Sequence, residues 1–256
     1  MGILNLTPDS FYDGGKYKNL EEAVNQVGTM LEDGATFIDV GAYSSRPDAT
    51  DISILEEEER LIPVIEEIIK QFPEVLISVD TFRSQIAKKA IQAGACIIND
   101  ISAGKLDDHM MEVVGELQVP YIMMHMRGTP QTMKNLTDYE DLLKDVSYYF
   151  SEQISMARDH KINDLIIDPG FGFAKTIDQN FKLLSHLEYL KNLEVPLLAG
   201  LSRKSMIYKT LKSTPDQSLN GTTALHMVAL QNGASILRVH DVQPALECIK
   251  LYNAIL

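Results

Sequence analysis

The sequence predicts a single α/β domain built as a (β/α)8 TIM barrel, with its active site at the carboxyl ends of the strands. Three observations carry this. Short apolar runs rich in β-branched residues alternate with longer amphipathic stretches from end to end. The apolar runs number eight. The chain has 256 residues, and about 250 is the usual size of such a barrel.

The expected strands, in order, are Gly2–Leu6, Thr36–Val40, Val75–Val79, Cys96–Asn99, Pro120–Met124, Leu165–Asp168, Val195–Ala199 and Ile236–Val239. Helical patterns follow them, as at Leu20–Glu32, Ile54–Gln71, Ser84–Ala93 and Tyr139–His160. The strand runs are almost continuously apolar, which implies burial on both faces, as in a parallel sheet covered by helices. An open doubly wound sheet is the alternative. The G-x-G-x-x-G turn of its dinucleotide-binding form is missing after the first run. No linker, repeat or low-complexity segment divides the chain, so residues 1–256 read as one domain.

The formal net charge is −13, from 36 acidic and 23 basic residues. That is the opposite of a nucleic-acid-binding footprint. Acidic residues such as Glu56, Glu57, Glu58 and Glu59 crowd a helical stretch and read as a solvated face. An anionic substrate therefore needs a local basic pocket. The two cysteines, Cys96 and Cys248, make neither a disulfide framework nor a zinc spacing. No apolar run approaches the ~20 residues of a membrane span, and no signal-peptide pattern opens the chain. A cytoplasmic protein with no nucleic-acid or membrane partner is expected.

In a barrel of this kind, what ends each strand decides the chemistry. Here every expected strand ends in or runs into polar groups: Asn5, Ser44-Ser45-Arg46, Asp80-Thr81, Asn99-Asp100, His125, Asp168, Ser202-Arg203-Lys204 and Arg238-Val239-His240. One such residue would be an ordinary turn former or helix cap. The whole set is not. Asp80, Asn99 and Asp168 suit a flat, nitrogen-rich heterocycle with several N–H donors. Arg46, Lys204, Arg238 and His240 supply positive charge and donors, and suit a phosphate-bearing group. Two long loops, Thr7–Tyr17 with Phe11 and Ser44–Asp51 with Pro47, are placed to act as lids. His125 reads more readily as a structural histidine than as a catalyst, and Arg203 reads equally well as a salt-bridge partner.

The motifs resemble one family. Gly2–Phe11 with Asp13-Gly14-Gly15 is similar to the first signature of dihydropteroate synthases, and Asp39–Pro47 resembles the second. Asp80-Thr81, Asn99-Asp100, His125-Met126-x-Gly128, Asp168–Phe173, Ser202–Ser205 and Arg238-Val239-His240 match in the same order over nearly the whole chain. The resemblance implies an alkyl-transferase of folate biosynthesis. Its substrates would be a dihydropterin pyrophosphate and p-aminobenzoate, with Mg2+ on the leaving pyrophosphate. It implies Asn5 as contact for Mg2+ and pyrophosphate, and Arg238 and His240 on the pyrophosphate. Asp80, Asn99 and Asp168 would hold the pterin. Lys204 would meet the pterin near the p-aminobenzoate, with Phe173 beside it. Phe11, Ser45, Arg46 and Pro47 would close the p-aminobenzoate pocket, with Asp9 ordering the first loop. The residues expected to carry the reaction are Lys204, Arg238 and Asp80. A homodimer is implied as well; Ala224, Leu225, Val228 and Ala229 would serve that face or the core equally.

The sequence departs from the family pattern at Tyr43, where an acidic residue is frequent, at Ser45 for Thr, at Asp48 for Gly and at Ala174 for Gly. The first three alter the expected shape of the p-aminobenzoate pocket and leave the pterin residues untouched. The family pattern also carries a segment ahead of the first strand, and a barrel without it is expected to be less stable. Two other readings compete: a methyltetrahydrofolate-dependent methyltransferase domain, and a silent pterin-binding protein. The first needs neither Ser202-Arg203-Lys204 with Arg238-Val239-His240 nor the Asn5–Gly15 loop. The second would have lost its anion-binding residues.

Overall fold

A computed structural model describes residues 1–6, 15–45 and 51–256, with the backbone alone at 15–19. Eight parallel strands follow one another: β1 (Gly2–Asn5), β2 (Phe37–Gly41), β3 (Leu76–Asp80), β4 (Ile97–Asp100), β5 (Tyr121–Met124), β6 (Leu165–Asp168), β7 (Leu198–Ala199) and β8 (Ile236–Leu237). Helices α1 (Gly15–Glu32), α2 (Ile54–Gln71), α3 (Ser84–Gln92), α4 (Met110–Leu117), α5 (Leu142–Asp159) and α6 (Ile177–Ser185) follow the first six strands. Helices α7 (Ser205–Thr210) and α8 (Leu219–Gln231) follow β7, and α9 (Val242–Ile255) follows β8.

β1 to β6 form one sheet in chain order, and β7 pairs with β8. Single parallel bridges, Ile167 to Leu197 and Gly2 to Val239, join the two sheets at both ends. The first seam rests on the Ile167 amide donating to Pro196 O at 3.0 Å; the second on Ile3 N to Val239 O and Val239 N to Met1 O, both 2.9 Å. The eight-strand circuit is therefore present, but it runs through two short seams. β7 is shorter than the expected Val195–Ala199 because Pro196 has no N–H to give a ladder.

Strand alternation explains the site. Residues two apart share a face. Ile97, Ile122 and Leu198, with Phe37, Ile166 and Ile236 against them, form an apolar cluster inside the ring. Their neighbours Ile38, Ile98, Ile167 and Leu237 join the large core under the helices. Both faces are buried, as the apolar runs implied. Two residues beyond Phe37, Ile97, Ile166 and Ile236 come Asp39, Asn99, Asp168 and Arg238. The polar layer thus lies directly above an apolar floor.

Helix ends match local capping. Ser53 caps α2, accepting from Glu56 N at 3.1 Å. α5 starts later than the expected Tyr139 because Asp141 caps it, accepting from the backbone N–H groups of Leu143 and Lys144. Tyr139 is left free to donate to Ala174 O at 2.9 Å. α1 starts at Gly15, ahead of the expected Leu20, and takes the end of the first expected loop into the helix.

Candidate active site

The centre of the polar layer is a guanidinium held between two carboxylates. Arg238 Nε donates to Asp39 Oδ2 and Nη2 to Asp80 Oδ2, each at 2.5 Å. Asn99 Nδ2 donates to the same Asp39 oxygen at 3.0 Å. Asp39 is fully buried, and Asn99 is nearly so. Burial opposes the charge on Arg238, but Asp39 and Asp80 outweigh it and push its pKa above the ordinary arginine value. Burial also raises Asp80, to about 7, with Arg238 pulling the other way. The second Asp39 oxygen has no hydrogen-bond partner among the described residues. Gly41 is required beside this group: a Cβ there would meet Asp80 Cβ at 3.0 Å.

On the opposite arc, β6 delivers Asp168, whose Oδ1 accepts from Gly170 N at 2.8 Å. The following turn needs left-handed backbone at Gly170 and Gly172, with φ of 69° and 83°. Lys204, just after β7, donates to the Phe171 carbonyl and sits 4.8 Å over the Phe173 ring. Burial lowers Lys204 to about 8, with Asp168 partly restoring the charge. Behind this turn lies a second lysine, Lys175, buried at 8% exposure. Its ammonium reaches His125 Nδ1 at 2.9 Å and the carbonyls of Gly170 and Phe173, both at 3.0 Å. Burial lowers Lys175 to about 7, and burial with the nearby Lys175 charge holds His125 neutral.

The other described residues of the expected set lie at strand ends or just beyond them. Asn5, at the end of β1, is exposed, and Ser45 is half-buried. His240 shares two contacts with Ser202 Oγ: its backbone N–H at 3.2 Å and its Nδ1 at 3.0 Å. Its pKa is lowered by desolvation and by Arg238 and Arg203, though its exposed position tempers the shift. His240 offers its ring nitrogens for hydrogen bonding, and the lowered pKa weakens the positive charge expected of it. Arg203 turns outward into Asp241, donating from Nε at 2.9 Å and Nη2 at 2.7 Å, which is the salt-bridge alternative. His125 is the structural histidine expected, edge-on to Tyr149 at 4.7 Å between centroids. Phe11, Arg46, Pro47 and Asp9 lie outside the described residues.

Two residues of the cluster were not singled out from sequence. Asp39 is a charge inside an apolar run, in the same register that places Asn99 after Ile97 and Asp168 after Ile166, so the signal was present. Lys175 follows Asp168–Ala174 and looks like an ordinary loop lysine; nothing in its neighbours announces burial.

A layer of carboxylates and an amide, flanked by a paired arginine and a lysine of lowered pKa, defines a small-molecule enzyme of the barrel class. Its acceptors, its amide and its cations are groups that can bind a polar ring and an anion. Residues 1–240 match the family described as pterin binding enzyme, and the chain belongs to that family. It is 45% identical over 258 residues to the dihydropteroate synthase of Synechocystis sp., covering 100% of this chain and 89% of that one. Among solved structures it is similar to Xanthomonas albilineans dihydropteroate synthase with 4-aminobenzoic acid, at TM-score 0.92 and 41% identity, covering 100% of this chain and 92% of that one. It is similar too to the same organism's enzyme in complex with 7,8-dihydropteroate, at TM-score 0.89 and 38% identity, with 100% and 92% covered.

Proposed function

We infer that this protein is a transferase of folate biosynthesis that joins 6-hydroxymethyl-7,8-dihydropterin pyrophosphate to p-aminobenzoate. The arrangement that carries the inference is the polar layer itself. Asp80, Asn99 and Asp168 face one space with Asp39 behind them, beside Lys204. The full-length likeness to dihydropteroate synthases supports the same reading, and the methyltransferase alternative has no comparable support.

In the reaction, the amine nitrogen of p-aminobenzoate attacks the pterin methylene. A C–N bond forms as the C–O bond to pyrophosphate breaks, and the electron pair leaves with the pyrophosphate. The new ammonium then loses a proton. Carboxylates accept from ring N–H groups, and Asn99 can both donate and accept. Lys204 would meet the ring with its ammonium, whose charged form Asp168 favours against burial. In this reading Asn5, Arg238 and His240 would meet the leaving group, and Ser45, together with Phe11, Arg46 and Pro47 by their motif match alone, would meet the p-aminobenzoate.

Mg2+ belongs to the same proposal. Among the described residues no cluster of three or more His, Cys, Asp or Glu could hold a metal. Mg2+ is usually held by one or two protein groups plus phosphates, so substrate oxygens would supply most of its ligands. Asn5, exposed at the mouth, is the residue that would touch it, and the ion would neutralise charge on the departing pyrophosphate.

We place the protein in the cytoplasm as a homodimer. No helix among the described residues is long and apolar enough to cross a membrane. On α8, Ala224 is exposed and Leu225 and Val228 are half-buried, so they remain available to a partner, whereas Ala229 is fully buried in the core.

The test is product formation. Protein, dihydropterin pyrophosphate, p-aminobenzoate and Mg2+ are expected to give dihydropteroate by mass, and omission of Mg2+ to abolish it. A protein that binds the pterin ring yet makes no product would refute the transferase reading. Full turnover in the presence of a chelator would refute the metal role.

A further inference from the structure

Lys175 is a buried cation in the wall of the site that the reaction as written does not use. Burying an ammonium is costly unless its donors are satisfied. Here all three are: two carbonyls of the β6 turn and one ring nitrogen of β5. An ammonium can only donate, so this geometry selects the His125 tautomer with a bare Nδ1. The two carbonyls it grips, Gly170 and Phe173, bracket Phe171. The Phe171 carbonyl accepts from Lys204, and the Phe173 ring lies under the Lys204 ammonium. The turn presses closely on β5: a Cβ at Gly170 would fall 2.1 Å from the His125 carbonyl oxygen. An independent hold exists on the far side, where Gly172 N donates to the buried Asn180 Oδ1 at 2.7 Å. Loss of Lys175 is therefore expected to loosen the turn without releasing it.

We propose that Lys175 is a positioning residue: by gripping His125, Gly170 and Phe173 from behind, it fixes the turn that aims Lys204 into the site. It touches no substrate. Its effect passes through Lys204, and the proposal rests on the transferase reading of that site.

The experiment uses Lys175→Met, with Lys175→Gln as a second variant that keeps two N–H donors should the methionine variant not fold. Three quantities are read: kcat/KM for product formation, the melting temperature, and binding of the phosphate-free hydroxymethyl dihydropterin. Binding is also measured in a Lys204→Met background. Lys175→Met is expected to lower kcat/KM by about 10- to 100-fold, the scale of a small misplacement of a site group. The coupling decides the role. If Lys175 acts through Lys204, the double variant binds the pterin within about threefold of Lys204→Met alone, because the second loss has nothing left to disturb. Where methionine does not fold, the binding cycle is run with Lys175→Gln and decides. Activity in Lys175→Met that stays within threefold of the parent overturns the proposal. So do binding losses that multiply in the double variant, since they would make Lys175 a merely structural group. If the parent protein itself makes no product, the transferase reading fails, and the binding cycle still judges the Lys175–Lys204 coupling.

Discussion

The two arcs of the mouth hold their cations in different ways. On the side of β2, β3 and β8, Arg238 is paired with Asp39 and Asp80. On the side of β6 and β7, Lys204 and Lys175 rest on backbone carbonyls. The first arc balances its charge internally. The second carries cations that burial makes reluctant to stay charged. The difference separates stability from reactivity. A cation that neutralises buried carboxylates is expected to support the fold, whereas Lys204, held by a neutral acceptor, is expected to matter more to the reaction than to stability.

Lys204→Ala should produce the largest effect and break the comparison if it does not. Turnover is expected to fall by at least about a thousandfold, roughly 4 kcal/mol of transition-state stabilisation. The melting temperature should shift little, because an ammonium disfavoured by burial is removed. Full activity would sink the role of Lys204, and unfolding would sink the contrast between arcs.

Arg238→Met tests the other arc. It leaves Asp39, fully buried, and Asp80 without their guanidinium. Breaking such a pair costs about 3–5 kcal/mol, and the low end applies because Arg238 retains 20% exposure. Denaturant unfolding reads the loss. Adding Asp39→Asn to Arg238→Met should recover part of it; no recovery would mean that the carboxylate charge is not what Arg238 neutralises.

The pH profile sharpens the lysine arc. Burial lowers Lys204 to about 8, below the ~10.4 of a free lysine, so its charged form prevails below that pH. Accordingly kcat/KM should fall tenfold per unit as pH rises through about 8, and a profile flat to pH 10 would contradict a charged Lys204. The stability sign is the reverse of a salt bridge. Between the folded and unfolded pKa values the unfolded chain binds more protons, so the Lys204 contribution to stability rises with pH across that window.

Arg203→Gln should do least. Arg203 pairs with Asp241 and Asp216 at the rim, with 28% of its side chain exposed, and such pairs contribute up to about 1 kcal/mol. Unchanged kcat is expected. A tenfold loss would move Arg203 into the site.

The strands, their order and the residues that end them were legible because burial on both faces writes itself as continuous apolar runs. Asp80, Asn99 and Asp168 followed directly. What was not legible is pairing across the ring. Arg238 and Asp39 are 199 positions apart, and only the closed register makes them partners, so Arg238 read as free for an anion. Lys175 was missed for a related reason: its burial comes from β5 and the left-handed β6 turn folding over it. The short β7 was foreseeable from Pro196, whereas the early start of α1 at Gly15 was not, since glycine marks no helix start as clearly as a capping side chain does.

The acidic arc is expected to bind the pterin ring without help from the pyrophosphate. Calorimetric titration of phosphate-free hydroxymethyl dihydropterin, without Mg2+, tests it most directly in the parent protein and in Asp80→Asn. The parent is expected to bind, and the variant to bind at least about tenfold more weakly, the scale of one lost charge-assisted hydrogen bond. Ring binding that requires the pyrophosphate, or equal affinity in both proteins, would contradict it.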